Sequence, residues 1–268
     1  MYLRGYSILV LAFSIICFSL EAQSDTLFNQ TDVNHLKQGW WKKAYPDGKL
    51  VYKGFFKDDK PVGPMVRYYE SGAVKAILNY DAKSEYAHAR LLYEDGKLAA
   101  QGVYYNSLKD STWSYYSYYD RTLTATESYQ MGMRHGRMTN FYSNGNVSEV
   151  LNWKNDKKHG VWEQYFPGGK LKMMGYYTDD KLEGDFLVNY DNGNPYLKGY
   201  YVNDKRQGKW TFFKEDGTVE AEMEYINGKP LNEEELTEKQ QELFRTIDAN
   251  EGKFEEPDES NFLIPPGR

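Results

Sequence analysis

Apolar and polar residues alternate with period two through most of this chain, and the alternation restarts at a fixed interval. The stretch "DKKHGVWEQYFPGGKLKMMGYY", from Asp156 to Tyr177, is followed 48 positions later by "DKRQGKWTFFKEDGTVEAEMEY". With Gly160 as position zero, the equivalent positions are Gly39, Gly63, Ala87, Ser111, Gly136, Gly160, Gly184 and Gly208. They are 24 residues apart, except for 25 between Ser111 and Gly136. Nine residues later stands a second glycine, at Gly48, Gly72, Gly96, Gly145, Gly169, Gly193 and Gly217; the fourth repeat lacks it. Seventeen residues after zero stands an aromatic: Phe56, Tyr80, Tyr104, Trp153, Tyr177, Tyr201 and Tyr225, with Tyr129 in the shifted slot of the fourth repeat. Markers that hold phase through eight repeats define an array of one supersecondary unit.

Each unit reads as a β-hairpin. Asp47, Ser71, Asp95, Asn144, Gly168, Asn192 and Asp216 precede the second glycine. Asn-Gly and Asp-Gly predict a two-residue type I′ turn, whose two central residues both need positive φ. That turn sets position six opposite eleven and position two opposite fifteen. Side chains alternate along a strand, so positions two, four, six, eleven, thirteen, fifteen and seventeen share one face. Position two is Trp41, Met65, Trp113, Met138, Trp162, Phe186 or Trp210, and position eleven is Leu50, Val74, Leu98, Val147, Leu171 or Val219. Position fifteen is Gly54, Gly102, Gly175 and Gly199. A glycine there leaves room for a ring to lie across the neighbouring strand. The other face is mostly Lys, Glu, Asn and Thr. Short polar links such as "NDKKHG" favour sequential pairing. The predicted fold class is all-β: one extended antiparallel meander of about eight repeated hairpins, some 16 strands, with a short C-terminal α-helix. Its apolar side would be exposed in a flat layer, so the hairpins are expected to bend until the aromatic rows line an inner trough.

The pattern "DKKHG-x-W-x-x-Y-x-x-x-G" with a closing "GYY" resembles the MORN repeat in its bacterial variant form. The likeness runs from Lys37 to Pro230, and the third and fourth repeats depart from it, with Ala87 and Ser111 at position zero. The resemblance implies a non-catalytic repeat scaffold. Some bacterial variants of the family carry an antitoxin label, and others sit in exported proteins.

The flanks have their own signatures. Arg4, an apolar run from Tyr6 to Leu20 and then "EAQS" read as a secretory signal peptide, residues 1–22, cut after Ala22. Cleavage there removes Cys17, the one cysteine, and leaves no thiol for disulfide or metal chemistry. Residues 23–36 read as a linker or leading strand, and residues 37–230 as the array. In residues 231–250, Asn232 is an N-cap, and Leu236, Leu243, Phe244 and Ile247 fall on one side at helical spacing. This helix is expected to cover the last hairpin and block an open sheet edge. Residues 251–268 form an acidic, Pro-containing tail, expected to be flexible.

Net charge −6 offers no basic footprint for nucleic acid or anionic lipid. No stable membrane insertion is expected after signal cleavage. His135 and His159 share one phase of the repeat and read as turn residues, while His35 and His88 stand elsewhere; no metal-ligand spacing appears. Carboxylates fall in turns and on the polar face, and no nucleophile elbow or phosphate loop is present. The reading is therefore not an enzyme, with no catalytic residues, metal or cofactor. The candidate ligand or partner surface is the off-face tyrosines, Tyr116 and Tyr165 at position five and Tyr176 and Tyr200 at position sixteen. "WSYYSYYD", from Trp113 to Asp120, is especially dense in rings. The leading expectation is an exported, periplasmic, outer-membrane-associated or secreted scaffold that binds a protein partner. The alternatives are a glycan or cell-wall binding module, with a polysaccharide as partner, and an antitoxin or immunity-type protein.

Overall fold

A computed structural model of the chain describes residues 26–83, 85–231 and 238–249. The expected signal peptide, the tail and the Asn232 cap lie outside the described residues. The strands, in order, are β1 (Gln30–Thr31), β2 (Lys37–Ala44), β3 (Leu50–Lys57), β4 (Lys60–Tyr68), β5 (Val74–Tyr80), β6 (Tyr86–Leu92) and β7 (Leu98–Tyr105). There follow β8 (Leu108–Tyr116), β9 (Leu123–Gln130), β10 (Met133–Phe141), β11 (Val147–Lys154), β12 (Lys157–Tyr165) and β13 (Leu171–Thr178). The last are β14 (Lys181–Leu182), β15 (Gly184–Asn189), β16 (Pro195–Val202), β17 (Lys205–Phe213), β18 (Val219–Ile226) and β19 (Lys229–Pro230), with a helix α1 (Glu238–Ala249). All strands join one 19-stranded antiparallel sheet, each pairing with its neighbours in sequence except that β14 and β15 both pair with β13. The excess over 16 comes from the short terminal strands β1 and β19 and from a break at Glu183 that separates β14 from β15.

The two ends of every hairpin carry different turns. At the end marked by the second glycine, position six both donates its N–H to the carbonyl of position ten and accepts from the glycine N–H; in the sixth repeat Phe166 does so at 2.8 Å each. Only the glycine has positive φ, 82–96° across the array, and the Asp or Asn before it does not. This is a three-residue loop, a type I turn closed by a left-handed glycine, and not the expected type I′ turn. The Asp or Asn contributes its side chain instead. Asn144 Oδ1 accepts from the Asn146 N–H at 2.9 Å, and Asp216 Oδ1 from the Thr218 N–H at 2.9 Å. The paired φ > 0 residues sit in the links: Asp58-Asp59, Asn155-Asp156, Asp179-Asp180 and Asn203-Asp204. Those links are the type I′ turns, built from residue types that tolerate the left-handed region.

Position two faces fifteen as expected, Trp162 opposite Gly175. Six does not face eleven, because a register shift between positions four and five sets Tyr165 opposite Leu171. The shift turns position twelve inward: Val51, Ala99 and Tyr196 are buried. Position eleven is left half-exposed, and Val219 is 53% exposed. Position-zero glycines lie in a second irregularity, with φ of 64–103°. The third repeat, with Ala87 at zero, lacks it; β5 pairs with β6 in unbroken register and Ala87 is buried.

The apolar face is filled from within. Trp113, Trp162 and Trp210 are 0–1% exposed. Met65, Trp113, Phe186 and Trp210 at position two each lie over the glycine at fifteen of the preceding repeat. A Cβ on Gly102 would meet Trp113 Cδ2 at 2.3 Å, and one on Gly199 would meet Trp210 Cδ2 at 2.1 Å. A cation at position minus two closes one side: Lys37 over Trp41, Arg134 over Trp153, Lys158 over Tyr177 and Arg206 over Phe244, at 3.8–5.1 Å from the ring centres. Such pairs add about 0.5–2 kcal/mol to burial of roughly 1.5–3 kcal/mol per large side chain.

Two further rows stitch repeat to repeat. The tyrosine at position six donates to the position-five carbonyl of the next repeat: Tyr69 to Leu92, Tyr93 to Tyr116, Tyr142 to Tyr165 and Tyr190 to Phe213, at 2.7–3.0 Å. At the opposite end the link aspartate donates its N–H to, and accepts from, position minus two of the preceding repeat. Asp156 with Arg134, Asp180 with Lys158 and Asp204 with Leu182 do so at 2.6–3.0 Å.

The terminal covers divide the work differently from the expectation. Helix α1 lies on the apolar face of the last repeat, with Phe244 buried 5.6–6.4 Å from Trp210, Phe212 and Tyr225. The sheet edge is met instead by β19, where Pro230 pairs with Tyr225. Proline has no N–H to offer a further strand.

Candidate functional site

The off-face tyrosines separate. Tyr176 and Tyr200 occupy the same position one repeat apart on the outer face, with Tyr200 42% exposed and Tyr176 half-buried. Tyr165 is on the sixth repeat but at the other end of its hairpin, opposite Leu171 where Tyr176 is opposite Val161, and its hydroxyl donates to Glu163 Oε2 at 2.9 Å. Tyr116 lies two repeats away and accepts from Gln101 Nε2 at 2.9 Å. The structure therefore aligns Tyr176 and Tyr200 in one row and leaves Tyr165 and Tyr116 apart from it. Of the dense "WSYYSYYD" stretch, Trp113 and Tyr115 are core, and Tyr119, at 89% exposure, sits on a loop. That loop absorbs the inserted residue of the fourth repeat, and Arg121, with φ of 63°, takes the left-handed place of the missing glycine.

His135 and His159 are stitch residues, while His88 stands within β6 opposite Asn79. His135 Nδ1 is 3.1 Å from Asn155 Oδ1, and His159 Nδ1 is 3.5 Å from Asp179 Oδ1. The same place is filled elsewhere by Gln38, which donates to Asp58 at 2.6 Å, and by Glu183, which accepts from the Asn203 N–H at 2.8 Å. Among the described residues no three His, Cys, Asp or Glu converge as a metal site would require.

A different region stands out once the repeat geometry is known. The insertion in the fourth repeat places Glu127 in the inward slot that elsewhere holds glycine, leucine or methionine, opposite Trp113. It is 1% exposed. This carboxylate escapes the sequence expectation that acids occupy turns and the polar face; the one-residue phase shift at Ser111 to Gly136 was its only signal. Its environment is built to hold it. Tyr129 donates to Glu127 Oε2 at 2.7 Å, and Arg134 Nε lies 4.0 Å from Oε1. Lys109 Nζ donates to the Tyr115 and Tyr129 hydroxyls at 2.6 and 3.0 Å, over the rings of Trp113, Tyr115 and Tyr129 at 4.5–5.3 Å. Burial, then Tyr115 and the Glu127 carboxylate, hold the Tyr129 phenol far above its ordinary value of 10.0, so it stays protonated as a donor. The groups engage one another, and such a network makes a rigid floor.

Above this floor the turn row changes character. Position minus three is Lys60, Lys157, Lys181 and Lys205 in the second, sixth, seventh and eighth repeats, Leu36 and Ser84 in the first and third, and Leu108 and Met133 in the fourth and fifth. The first turn residue is Asn or Asp in most links but Met131 in the fifth. Leu108, Met131 and Met133 are 42–55% exposed. A Cβ on Gly132 would meet Leu108 Cδ2 at 3.3 Å, which places the two turns against each other. Beside them runs a groove of about 630 Å³ lined by Tyr86, Tyr105, Asp110, Tyr129, Met131 and His135. Tyr86 and Tyr105 pack at 4.8 Å, and Asp110 Oδ1 accepts from the Met131 N–H at 3.2 Å.

The family model described as "MORN repeat variant" matches residues 37–58, 61–82, 134–155, 158–179, 182–203 and 206–227. Residues 83–133, which carry most of the irregular site, lie between its matches. No curated protein matches the chain. Among solved structures, "Crystal Structure of TcdB2-TccC3-Cdc42" aligns at 11% identity over 70% of this chain and 14% of its own, with a TM-score of 0.19. "Crystal Structure of TcdB2-TccC3" aligns at 9% identity over 73% of this chain and 16% of its own, with a TM-score of 0.16. This chain thus spans about a seventh of the length of those chains, and likeness at that level carries no argument here.

Proposed function

Because this chain belongs to the MORN repeat variant family, whose units make repeat scaffolds, we propose that it is an exported scaffold that binds a protein partner through its third to fifth repeats. One observation carries the reading: a turn row that is polar in most repeats, with lysine at position minus three of the second, sixth, seventh and eighth, becomes Leu108, Met131 and Met133 there, and those side chains stay exposed. Exposed apolar side chains on a rigid base, bordered by tyrosines, are the makings of a contact surface, since Tyr and Met are enriched where proteins meet. Export rests on the apolar run from Tyr6 to Leu20 behind Arg4.

The test is capture from envelope extract on immobilised protein. A specific species retained by the natural chain is expected to be lost with Leu108→Lys plus Met131→Lys and kept with Tyr200→Ala. Equal capture by all three, or loss only with Tyr200→Ala, overturns the surface assignment. Loss with Tyr200→Ala alone would favour the outer tyrosines and the glycan reading attached to them. Recovery of the protein only from the cytoplasm would overturn export.

A further inference from the structure

A second inward carboxylate follows Glu127 by one repeat, and it is held differently. Position thirteen is Ala, Leu, Met or Tyr in the seven other repeats, counting the shifted slot of the fourth, but Glu149 in the fifth. Two position-four residues stand directly opposite it, Asn140 on β10 and Gln164 on β12. All three are half-buried. Glu149 Oε1 accepts from Trp162 Nε1 at 2.8 Å and from Gln164 Nε2 at 3.2 Å, and Oε2 accepts from Asn140 Nδ2 at 2.9 Å. Glu127 has Arg134 Nε at 4.0 Å from its Oε1. Among the described residues, no Lys, Arg or His lies within ion-pair distance of Glu149. Neutral donors thus fix this carboxylate in place and leave its charge without a counter-charge, a costly state on an apolar face.

The same bonds decide which atoms stay open. A carboxylate only accepts, so both amides must turn an NH2 group to it and their carbonyl oxygens elsewhere. Asn140 Oδ1 is covered and receives no hydrogen bond from a described group, and none reaches Gln164 Oε1. A carboxylate has about four acceptor places; Oε1 has filled two and Oε2 one. The cluster therefore carries a negative charge and open acceptors, and a cationic donor completes it. A guanidinium grips a carboxylate by two parallel bonds, one to each oxygen, and Oε1 has no place left. An ammonium is a compact charge that needs one carboxylate oxygen, and its remaining N–H groups suit an amide carbonyl.

We propose that Glu149, flanked by Asn140 and Gln164, is a binding site for a primary ammonium group of the kind a lysine side chain carries. The ammonium donates to Glu149 Oε2 and Gln164 Oε1, and no hydrogen bond already made has to break. The site lies toward the opposite end of the hairpins from Leu108, Met131 and Met133, and it does not depend on the reading of that patch.

The experiment is titration of the full chain, ¹⁵N-labelled at its indoles, with N-acetyl-lysine methylamide. Trp162 reports on the site directly, because its Nε1–H donates to Glu149. Trp113, whose Nε1–H donates to the Val103 carbonyl, is the internal reference. The Trp162 signal is expected to move and saturate while Trp113 stays still. N-acetyl-norleucine methylamide, which lacks the ammonium, should move neither. Glu149→Gln keeps the shape and an acceptor for Trp162, and should weaken the lysine probe at least about tenfold. No movement of Trp162, or equal movement with the norleucine probe, overturns the proposal. Movement with Ca2+ or Mg2+ but not with the lysine probe also overturns it, and assigns the oxygens to a metal. Butylamine binding as tightly as the lysine probe supports the site and extends it to free amines; tighter binding of the lysine probe supports a lysine on a protein. The two neutral and charged probes are compared on the natural chain, so the test holds even if Glu149→Gln does not fold. Loss of partner capture with Leu108→Lys plus Met131→Lys bears on the patch alone.

Discussion

Gly199→Ala puts the packing principle of this sheet under the most direct load. Gly199 has no positive φ, so the substitution meets no backbone strain and would by itself stabilise by about 0.4–1 kcal/mol through the unfolded chain. The obstacle is steric. The new Cβ would stand 2.1, 2.3 and 2.4 Å from Trp210 Cδ2, Cε2 and Cε3. Ordinary carbon contacts begin near 3.5 Å, so the indole has to retreat by roughly 1.5 Å. It has nowhere to go, because Tyr201, Phe186, Tyr225 and Phe244 surround it with ring centres at 5.0–6.0 Å. Overpacking costs about 1–3 kcal/mol, and this site belongs at or above the top of that range. Gly54→Ala is the matched control. Its nearest atoms are Met65 Cε, Cγ and Cβ at 3.0, 3.1 and 3.2 Å, contacts that a shift of a few tenths of an ångström relieves, and the expected cost is below about 1 kcal/mol. Urea unfolding followed by tryptophan fluorescence gives the magnitudes. Hydrogen exchange localises them, since an array need not unfold as one unit. In a Trp210→Phe background the cost of Gly199→Ala should shrink by about 1–3 kcal/mol, a coupling between touching groups. If Gly199→Ala costs no more than Gly54→Ala, or costs the same with Phe at 210, the glycine row does not exist to admit rings.

Three other outcomes test the stitches and turns. Asp156→Ala loses both the bond to the Arg134 N–H and a side chain suited to φ of 64°, so it should cost about 1–2 kcal/mol more than Asp156→Gly, which loses only the bond; urea midpoints of the pair separate the two effects. Phe166→Tyr supplies the one hydroxyl missing between Tyr142 and Tyr190 in that row, and reach to the Asn189 carbonyl should stabilise by up to about 1 kcal/mol, read as slower amide exchange in repeats six and seven. Asp47, Asp95 and Asp216 are held below their ordinary 3.8, Asp47 chiefly by the Lys49 N–H, Asp95 by the Lys97 side chain and Asp216 by the Thr218 hydroxyl. Depressed acids stabilise above their unfolded value and lose that contribution as pH falls through the lower folded value, so the urea midpoint should be flat above about pH 5 and drop below pH 4, less steeply in Asp47→Asn.

The period and the inward face were readable because each position meets one environment in nearly every repeat. Trp162 and Tyr177 share a side, 5.5 Å apart, because period two is a property of any strand. The turns were not assigned correctly, because Asp-Gly and Asn-Gly suit either a type I′ turn or the last residues of a three-residue loop. The choice is made by position six and position ten, whose backbone bond no local preference reveals. Position eleven looked inward by parity, and a one-residue bulge moved that role to Val51, Ala99 and Tyr196. Glu127 was hidden by the insertion that put it inside. The patch at Leu108, Met131 and Met133 was visible only after the turn row had been drawn as a row, because each residue alone is an ordinary apolar residue.

The link aspartates and the position-six tyrosines grip carbonyls and amides that every unit carries at the same address. Excising 158–181 would hand the Tyr142 hydroxyl the Asn189 carbonyl in place of that of Tyr165, and leave Asp204 holding Leu182 as before. Loss or gain of a whole period therefore rejoins like to like, while any fraction of one strands both rows. The molecule is a ruler that can be recut only at its own graduations, and the distance between its two covered ends is a quantity set in steps.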